Sequence, residues 1–270
     1  MSPPWSCQAG TIKFIEFPVR KPGMSRRAFH LYWQRHHSPH VMNVTGFSQF
    51  IRKYMTAHVY PDAFEGLPEC LQTMPRFEGV GEVWLNSLED ATSWLGHPLY
   101  AELIAPDESN FIDPNGGGEV LVAREELLHD DELDLMETGL TKMYVTGKRR
   151  VGLERMEFHQ ATSESGRDVL ARATHRGLLR RFVVSHRLAD PYPDWLPPPE
   201  SDVLFEMWFE SRDTLRRFLS SCSSSRFSFA DPEIFEASSL RAIVTRLHVV
   251  HDEFSFQPTT MQPLKWRWDD

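Results

Sequence analysis

The stretch EVWLNS at residues 82–87 recurs as EMWFES at residues 206–211. It is one of four ordered matches between the two halves of the chain, with offsets of 118 to 129 residues that drift as loop insertions would make them. The other matches join residues 23–30 to 152–159, FIDP at 111–114 to FADP at 229–232, and VLVAR at 120–124 to AIVTR at 242–246. Ordered self-similarity of this kind indicates a duplicated structural unit. We therefore predict two copies of one domain, at residues 11–131 and 139–253, between an N-terminal tail (1–10) and a C-terminal tail (254–270).

Each copy is predicted to have the element order β-α-β-β-α-β. In the first copy, the apolar run from Ile12 to Val19 predicts a strand, and a helical stretch follows from Ser25 to about Pro39. Ser25 is a residue type that caps helix N-termini. Further strands are expected at 47–59, 81–85 and 119–128, with helical pieces between 88 and 110. This is the ferredoxin-like pattern, so the predicted fold class is α+β.

Apolar side chains fall on both faces of the predicted strands, as in the run from Ile12 to Val19 and in the runs 203–209 and 243–250. A sheet covered only by its own helices would alternate apolar with polar residues, because one face would meet water. The second face therefore needs a cover, and the other copy's sheet is the nearest candidate. We expect the two repeats to pack sheet to sheet as an intramolecular barrel, which makes the protein a monomer or a weak homodimer.

The composition restricts the classes of partner. The 270 residues carry a formal net charge of −9, which repels phosphate backbones, so no nucleic-acid partner is expected. No apolar run approaches the length that spans a bilayer, and the first residues do not resemble a signal peptide. We expect a cytoplasmic protein without a membrane partner. Three widely separated cysteines, at positions 7, 70 and 222, argue against a disulfide framework or a zinc site.

The first copy resembles the EthD-like members of the dimeric α/β-barrel superfamily. The similarity rests on RKPGMS at 20–25, FHLYWQRHHSP at 29–39, GVGEVWL at 79–85 and DESNFID at 107–113. The second copy resembles a degenerate form of the same domain, through GLLRRF at 177–182. This resemblance implies a pocket between sheet and helices, which many members use without a metal or an organic cofactor. Relatives include polyketide cyclases, dehydratases, decarboxylases and lactone isomerases, whereas others bind haem, so the fold alone does not select the chemistry.

His37 is the first candidate for catalysis. It matches the family's helix-end histidine, and imidazole moves protons near neutral pH. The alternative interpretation is a structural helix cap, because Pro39 follows closely. His40 is a second candidate, as a substrate-binding residue. In the second copy the offset of 129 places Gly166 at the position of His37, so that copy is predicted to be a scaffold or to use other residues.

Further site residues are predicted from side-chain type and strand face. Tyr54 and His58 lie four residues apart on one strand face and are candidate catalytic groups that polarise a carbonyl or a phenol. Aromatic residues suited to an apolar pocket include Tyr32, Trp33 and Tyr100. Glu82 and Trp84 share one strand face and are further candidates for substrate binding, with Glu82 able to orient His37. Their recurrence in the second copy, which lacks His37, favours a structural role instead.

Two functions from different classes follow from these residues. The first is a cofactor-independent lyase, cyclase or dehydratase in secondary-metabolite biosynthesis, acting by histidine acid–base catalysis on an aromatic or polyketide-like small molecule. No metal-ligand spacing is evident, so we expect no metal and no cofactor. The alternative is a non-catalytic module of the same fold that binds a ligand or haem, since histidine can ligate haem iron.

Overall fold

A computed structural model describes residues 11–131, 139–171, 177–188, 196, 198–221 and 231–253. The predicted tails, most of the proline-rich segment 191–199 and the centre of the linker between the copies lie outside these residues.

The first half of the chain contains five strands and a series of short helical segments. The strands are β1 (Ile12–Phe17), β2 (Lys53–Val59), β3 (Gln72–Thr73), β4 (Gly79–Leu85) and β5 (Glu119–Asp130). The α-helices are α1 (Arg26–Tyr32), α2 (Ser38–Asn43), α3 (Thr45–Ser48), α4 (Leu88–Leu95) and α5 (Ala105–Glu108). Two π-helical segments, π1 (Trp33–His37) and π2 (Tyr100–Ile104), join α1 to α2 and precede α5.

The second half repeats the order of long elements without the π segments among its described residues. Its strands are β6 (Thr141–Gly147), β7 (Arg181–Arg187), β8 (Val203–Phe209) and β9 (Arg241–Asp252). Its described helices are α6 (Arg155–Ala171) and α7 (Arg212–Ser221). None of the helices in the described part of the chain is both long and apolar enough to cross a membrane.

Eight of the strands close into an antiparallel barrel within one chain. The order is β2-β4-β1-β5-β7-β8-β6-β9, and β9 pairs with β2 to complete the ring. The two 12-residue strands make this closure. β5 pairs with β1 through residues 119–123 and with β7 through residues 123–130. β9 likewise pairs with β6 and then with β2, so the sheets of the two halves face each other and are also hydrogen-bonded at both edges.

Charged residues from both halves meet inside the barrel. Lys142 Nζ lies 2.7 Å from Glu82 Oε2 and 2.7 Å from Glu206 Oε2, and all three side chains are fully buried. Lys13 Nζ contacts Glu82 and lies 2.5 Å from Glu206 Oε2. Burial opposes ionisation of Glu82, but the two lysines outweigh it and lower the pKa of this carboxyl. These opposite charges therefore compensate each other across the two sheets, without access to solvent.

The structure corrects two predicted boundaries in the first half and adds one strand. Ser25 caps α1 as expected, accepting a hydrogen bond from the Ala28 N–H at 3.1 Å. The helix does not end near Pro39, however, since proline is tolerated in the first turn of α2 and the helical path continues to Asn43. The strand predicted from residue 47 begins at Lys53, because Phe47 belongs to the helical turn α3. The short strand β3 was not predicted.

Candidate active site

A cavity of about 470 Å³ lies between the outer face of the first-half sheet and the helical segments that cover it. Its volume is in the range of small-molecule sites. Most of its lining is apolar or aromatic. The residues that line it are Phe14, Glu16, Trp33, His37, Val41, Phe47, Tyr54, Gly81, Val83, Thr92, Trp94, Leu95, Gly96, Tyr100, Ile104, Glu108, Phe111, Ile112, Val120 and Leu196.

The π1 segment sets the position of the first catalytic candidates. The Ser38 N–H donates to the Trp33 carbonyl, five residues earlier, which marks the extra residue in this helical turn. The Trp33 indole lies against two glycines of β4. A Cβ atom at Gly79 would approach the Ala57 carbonyl oxygen to 2.4 Å and the Trp33 ring to 2.9 Å, and one at Gly81 would approach the Trp33 ring to 3.2 Å. Glycine at these two strand positions therefore makes the space that the indole occupies.

His37 forms a hydrogen-bonded pair with Asp107. The distance from His37 Nδ1 to Asp107 Oδ2 is 2.7 Å, and the Tyr32 hydroxyl donates to Asp107 Oδ1 at 2.6 Å. The hydrogen bond from His37, together with that from Tyr32, lowers the pKa of Asp107 against the opposing effect of burial. The Asp107 carboxylate thus fixes Nδ1 of the ring. Nε2 is the nitrogen left available to a ligand in the cavity, and it has no hydrogen-bond partner among the described residues.

Tyr54 faces the same cavity from β2. Its hydroxyl oxygen accepts hydrogen bonds from Trp33 Nε1 at 3.2 Å and from Ser38 Oγ at 3.3 Å. Because both neighbours donate to this oxygen, the phenolic proton remains to be donated to a ligand. Burial raises the pKa of Tyr54, so the group stays a neutral donor.

Two glutamates that sequence reasoning missed also line the cavity. Glu16 lies on the outward face of β1 with Ile12 and Phe14, and Glu108 accepts a 2.9 Å hydrogen bond from the Tyr100 hydroxyl. Burial raises the pKa of Glu16 to about 7. Burial and then the charge of Glu16 raise the pKa of Glu108 to about 8. An acidic residue at an otherwise apolar strand-face position was the available signal for Glu16.

Of the predicted site residues, Trp33, His37, Tyr54 and Tyr100 meet in the cavity. Tyr32 does not line the cavity, and its hydroxyl donates a hydrogen bond to Asp107. His40 is outside the lining, with Nε2 3.2 Å from the Leu103 carbonyl oxygen. His58 is buried beyond Trp33, at 5.3 Å between ring centroids, and does not line the cavity with Tyr54.

Glu82 and Trp84 do not reach the cavity, because strand residues alternate between faces and these two point into the barrel. Glu82 accepts hydrogen bonds from Lys142 and from the Tyr144 hydroxyl, the latter at 2.6 Å. Trp84 Nε1 donates to Glu125 at 2.9 Å. Glu82 is therefore not placed to orient His37, and Asp107 occupies that role instead.

Comparisons with known proteins agree with this architecture. The closed antiparallel barrel with external helices belongs to the dimeric α/β-barrel type. Residues 21–115, in the first half of the chain, match the family model of the EthD domain. No curated protein matches the chain.

Two solved structures share the fold over nearly the whole chain. An anthrone oxidase-like protein is 11% identical with a TM-score of 0.54, covering 90% of this chain and 94% of its own. A protein described as a candidate chlorite dismutase is 7% identical with a TM-score of 0.51, covering 91% of this chain and 98% of its own. At these identities the likeness concerns the fold alone.

Proposed function

We propose that the protein is an enzyme that binds an aromatic or polyketide-like small molecule in the first-half cavity and moves a proton on it with His37. The observation that carries the proposal is the 2.7 Å hydrogen bond between His37 Nδ1 and Asp107, beside a ligand-sized cavity that His37 lines. A base whose second nitrogen is held by a carboxylate is the arrangement that general acid–base catalysis uses.

The reaction class that fits these groups is a lyase, cyclase or dehydratase reaction without a cofactor. His37 Nε2 takes a proton from a carbon next to a ligand carbonyl, and the Tyr54 hydroxyl donates a hydrogen bond to the carbonyl oxygen as negative charge develops there. In a dehydration, the imidazolium returns that proton to the leaving hydroxyl, the C–O bond breaks, a C=C bond forms and water leaves. Asp107 stabilises the imidazolium between the two steps.

The aromatic lining supports the ligand class. Aromatic rings line much of the cavity, which suits a planar apolar ligand; they belong to Trp33, Phe47, Trp94 and Phe111.

Two further proposals concern the fold of each half and the assembly of the chain. We propose that each half is a ferredoxin-like unit, because the strand order β5-β1-β4-β2 is repeated as β9-β6-β8-β7. We further propose a monomer, since both sheet edges are used in closing the barrel.

Haem binding is the second candidate, and the residues present do not fit it. His37 Nε2 has the setting of a haem ligand, with a carboxylate on its other nitrogen. Haem, however, carries two propionates, and the described cavity lining contains two glutamates and no lysine or arginine. Adding haemin to the purified protein is expected to give no shifted absorption band, and a stable haem band would favour this second function over the first.

The catalytic role of His37 can be tested once the substrate is identified by comparing metabolites of the source organism with and without the gene. His37→Ala is expected to lower kcat/KM by about 10²- to 10⁴-fold. Asp107→Asn should give a smaller loss and a changed pH–rate profile, because it alters the support of the imidazole. His36→Ala, at an exposed neighbouring position, is the control and should leave the rate unchanged. A folded His37→Ala protein with the original rate would overturn the proposal.

A further inference from the structure

The charge of the cavity is unbalanced. Two of its lining residues are glutamates, and among the described lining residues none is lysine or arginine. Among the described lining residues, His37 has the only side chain that can carry a positive charge, and it is already hydrogen-bonded to the carboxylate of Asp107. Neither glutamate is therefore compensated by a lysine or arginine of the described lining.

The two glutamates enter the cavity from opposite structural layers. Glu16 projects from the sheet, where β1 pairs Glu16 with Gly81 of β4, a residue that also lines the cavity. Glu108 belongs to α5 in the helical cover, where the Tyr100 hydroxyl donates to its Oε2 at 2.9 Å. Tyr100 cannot neutralise that carboxylate, because a phenol supplies a hydrogen bond but no charge. A ligand in this cavity therefore meets a carboxyl group from each layer.

We propose that Glu16 and Glu108 select against anionic ligands and that the cavity takes an uncharged aromatic molecule bearing hydroxyl groups. This inference rests on the proposed function, whose ligand class it narrows. An anion in a mostly apolar cavity loses its hydration and meets two acidic side chains that share negative charge, with no lysine or arginine among the described lining residues. A phenolic hydroxyl instead donates a hydrogen bond to a carboxylate oxygen. This bond replaces the one that the hydroxyl made to water, so the free-energy cost of its desolvation is small.

The protonation of the pair is consistent with this selectivity. Burial raises the pKa of Glu16 to about 7 and, with the charge of Glu16, that of Glu108 to about 8. Near neutral pH the pair therefore keeps protons, and it offers a hydroxyl ligand both a carboxyl donor and a carboxylate acceptor. A carboxylate ligand adds a third group of the same type to this site and is disfavoured.

The test compares two probes of equal ring size, 2-naphthol and 2-naphthoate, by titration calorimetry of the full chain at pH 7. The wild-type protein should bind 2-naphthol about tenfold or more tightly than 2-naphthoate. In the double variant Glu16→Gln/Glu108→Gln, the affinity for 2-naphthoate should rise about tenfold, whereas that for 2-naphthol should change by less than about threefold. Glu102→Gln, at an exposed position of π2 outside the lining, is the matched control and should change neither affinity. Circular dichroism and melting temperatures verify that each variant is folded.

Each contrary outcome identifies what has failed. Equal binding of both probes by the wild-type protein, or an unchanged 2-naphthoate affinity in the double variant, overturns the selectivity and leaves the proposed reaction standing. Tighter binding of 1-naphthylmethylammonium than of 2-naphthol by the wild-type protein overturns the choice of an uncharged ligand. Absence of 2-naphthol binding overturns the inference together with the aromatic cavity on which the proposed function depends.

Discussion

The inner and outer faces of the barrel differ in how far the two halves of the chain agree. Inside, Lys13 and Lys142 hold corresponding positions, each paired across its sheet with a tryptophan, Trp84 or Trp208. Outside, the polar groups and the open space of the first half are absent from corresponding positions of the second. At the corresponding positions the second half has Val145 for Glu16, Phe182 for Tyr54, Phe205 for Gly81 and Gly166 for His37.

The helices that cover the two halves also differ. The second-half helix α6 runs unbroken and lies directly on the sheet, where a Cβ atom at Gly166 would come within 2.4 Å of Leu128 Cδ1. In the first half, π1 interrupts the helix and the cavity opens beneath it. Both halves therefore supply the barrel and its buried charges, whereas the first half alone supplies the acid–base groups of this cavity.

The largest expected effect is a loss of stability on substitution of the buried lysines, a feature that both halves share. Lys142→Met removes a cation shared by Glu82 and Glu206, and Lys13→Met removes its counterpart. Each substitution should lower the free energy of unfolding by about 3–5 kcal/mol, because it leaves buried carboxylates undercompensated. Urea unfolding measures the loss. Lys148→Met, at a half-exposed position, is the control with an effect below about 1 kcal/mol. A loss of that small size in both barrel variants would refute a shared structural network.

The next effect concerns the outer faces. Gly81→Phe gives the first half the residue that stands at the corresponding position of the second, and the new ring occupies the space beside Trp33. The affinity for 2-naphthol should fall about a hundredfold, because the new ring fills part of the cavity that the probe would occupy. Phe205→Leu in the second half is the matched control, and its affinity for the probe should equal that of the wild type. Retained binding in a folded Gly81→Phe protein would mean that ligands bind elsewhere.

The smallest effect is a pH dependence of stability. Between pH 4.5 and about 8 the folded chain holds more protons on Glu16 and Glu108 than the unfolded chain, because their pKa values are raised from 4.5 to about 7 and 8. Their contribution to stability is complete below pH 4.5 and is lost as the pH rises through these values. Buried histidines with lowered pKa, such as His30 and His186, change stability in the opposite direction up to about pH 6.5.

The double variant Glu16→Gln/Glu108→Gln separates these contributions, because the histidines are common to both proteins. From pH 5 to pH 6, the stability of the variant should rise relative to that of the wild type by about 2 kcal/mol, and it should keep rising until the pH passes the raised pKa values. Denaturant unfolding at several pH values measures the difference. A constant difference across this range would show that the glutamates ionise as they do in water.

The sequence predicted the duplicated order of elements because internal repeats and apolar patterns report local structure directly. It also placed His37, Trp33, Tyr54 and Tyr100, which meet in the cavity. It did not reveal Asp107 as the partner of His37, since these residues lie 70 positions apart and their contact depends on how two helical segments pack. The inward direction of Glu82 depends on strand register, and a shift of one residue would reverse it.

A crystal structure of the full chain with 2-naphthol bound tests directly whether the first half holds the ligand site. We predict one probe molecule per chain, in the first-half cavity beside His37 and Tyr54, with its hydroxyl group within hydrogen-bond distance of a carboxyl oxygen of Glu16 or Glu108. A probe molecule seated against Phe182 and Phe205 on the outer face of the second half, or inside the barrel beside Lys142, would contradict the assignment of the active site to the first half.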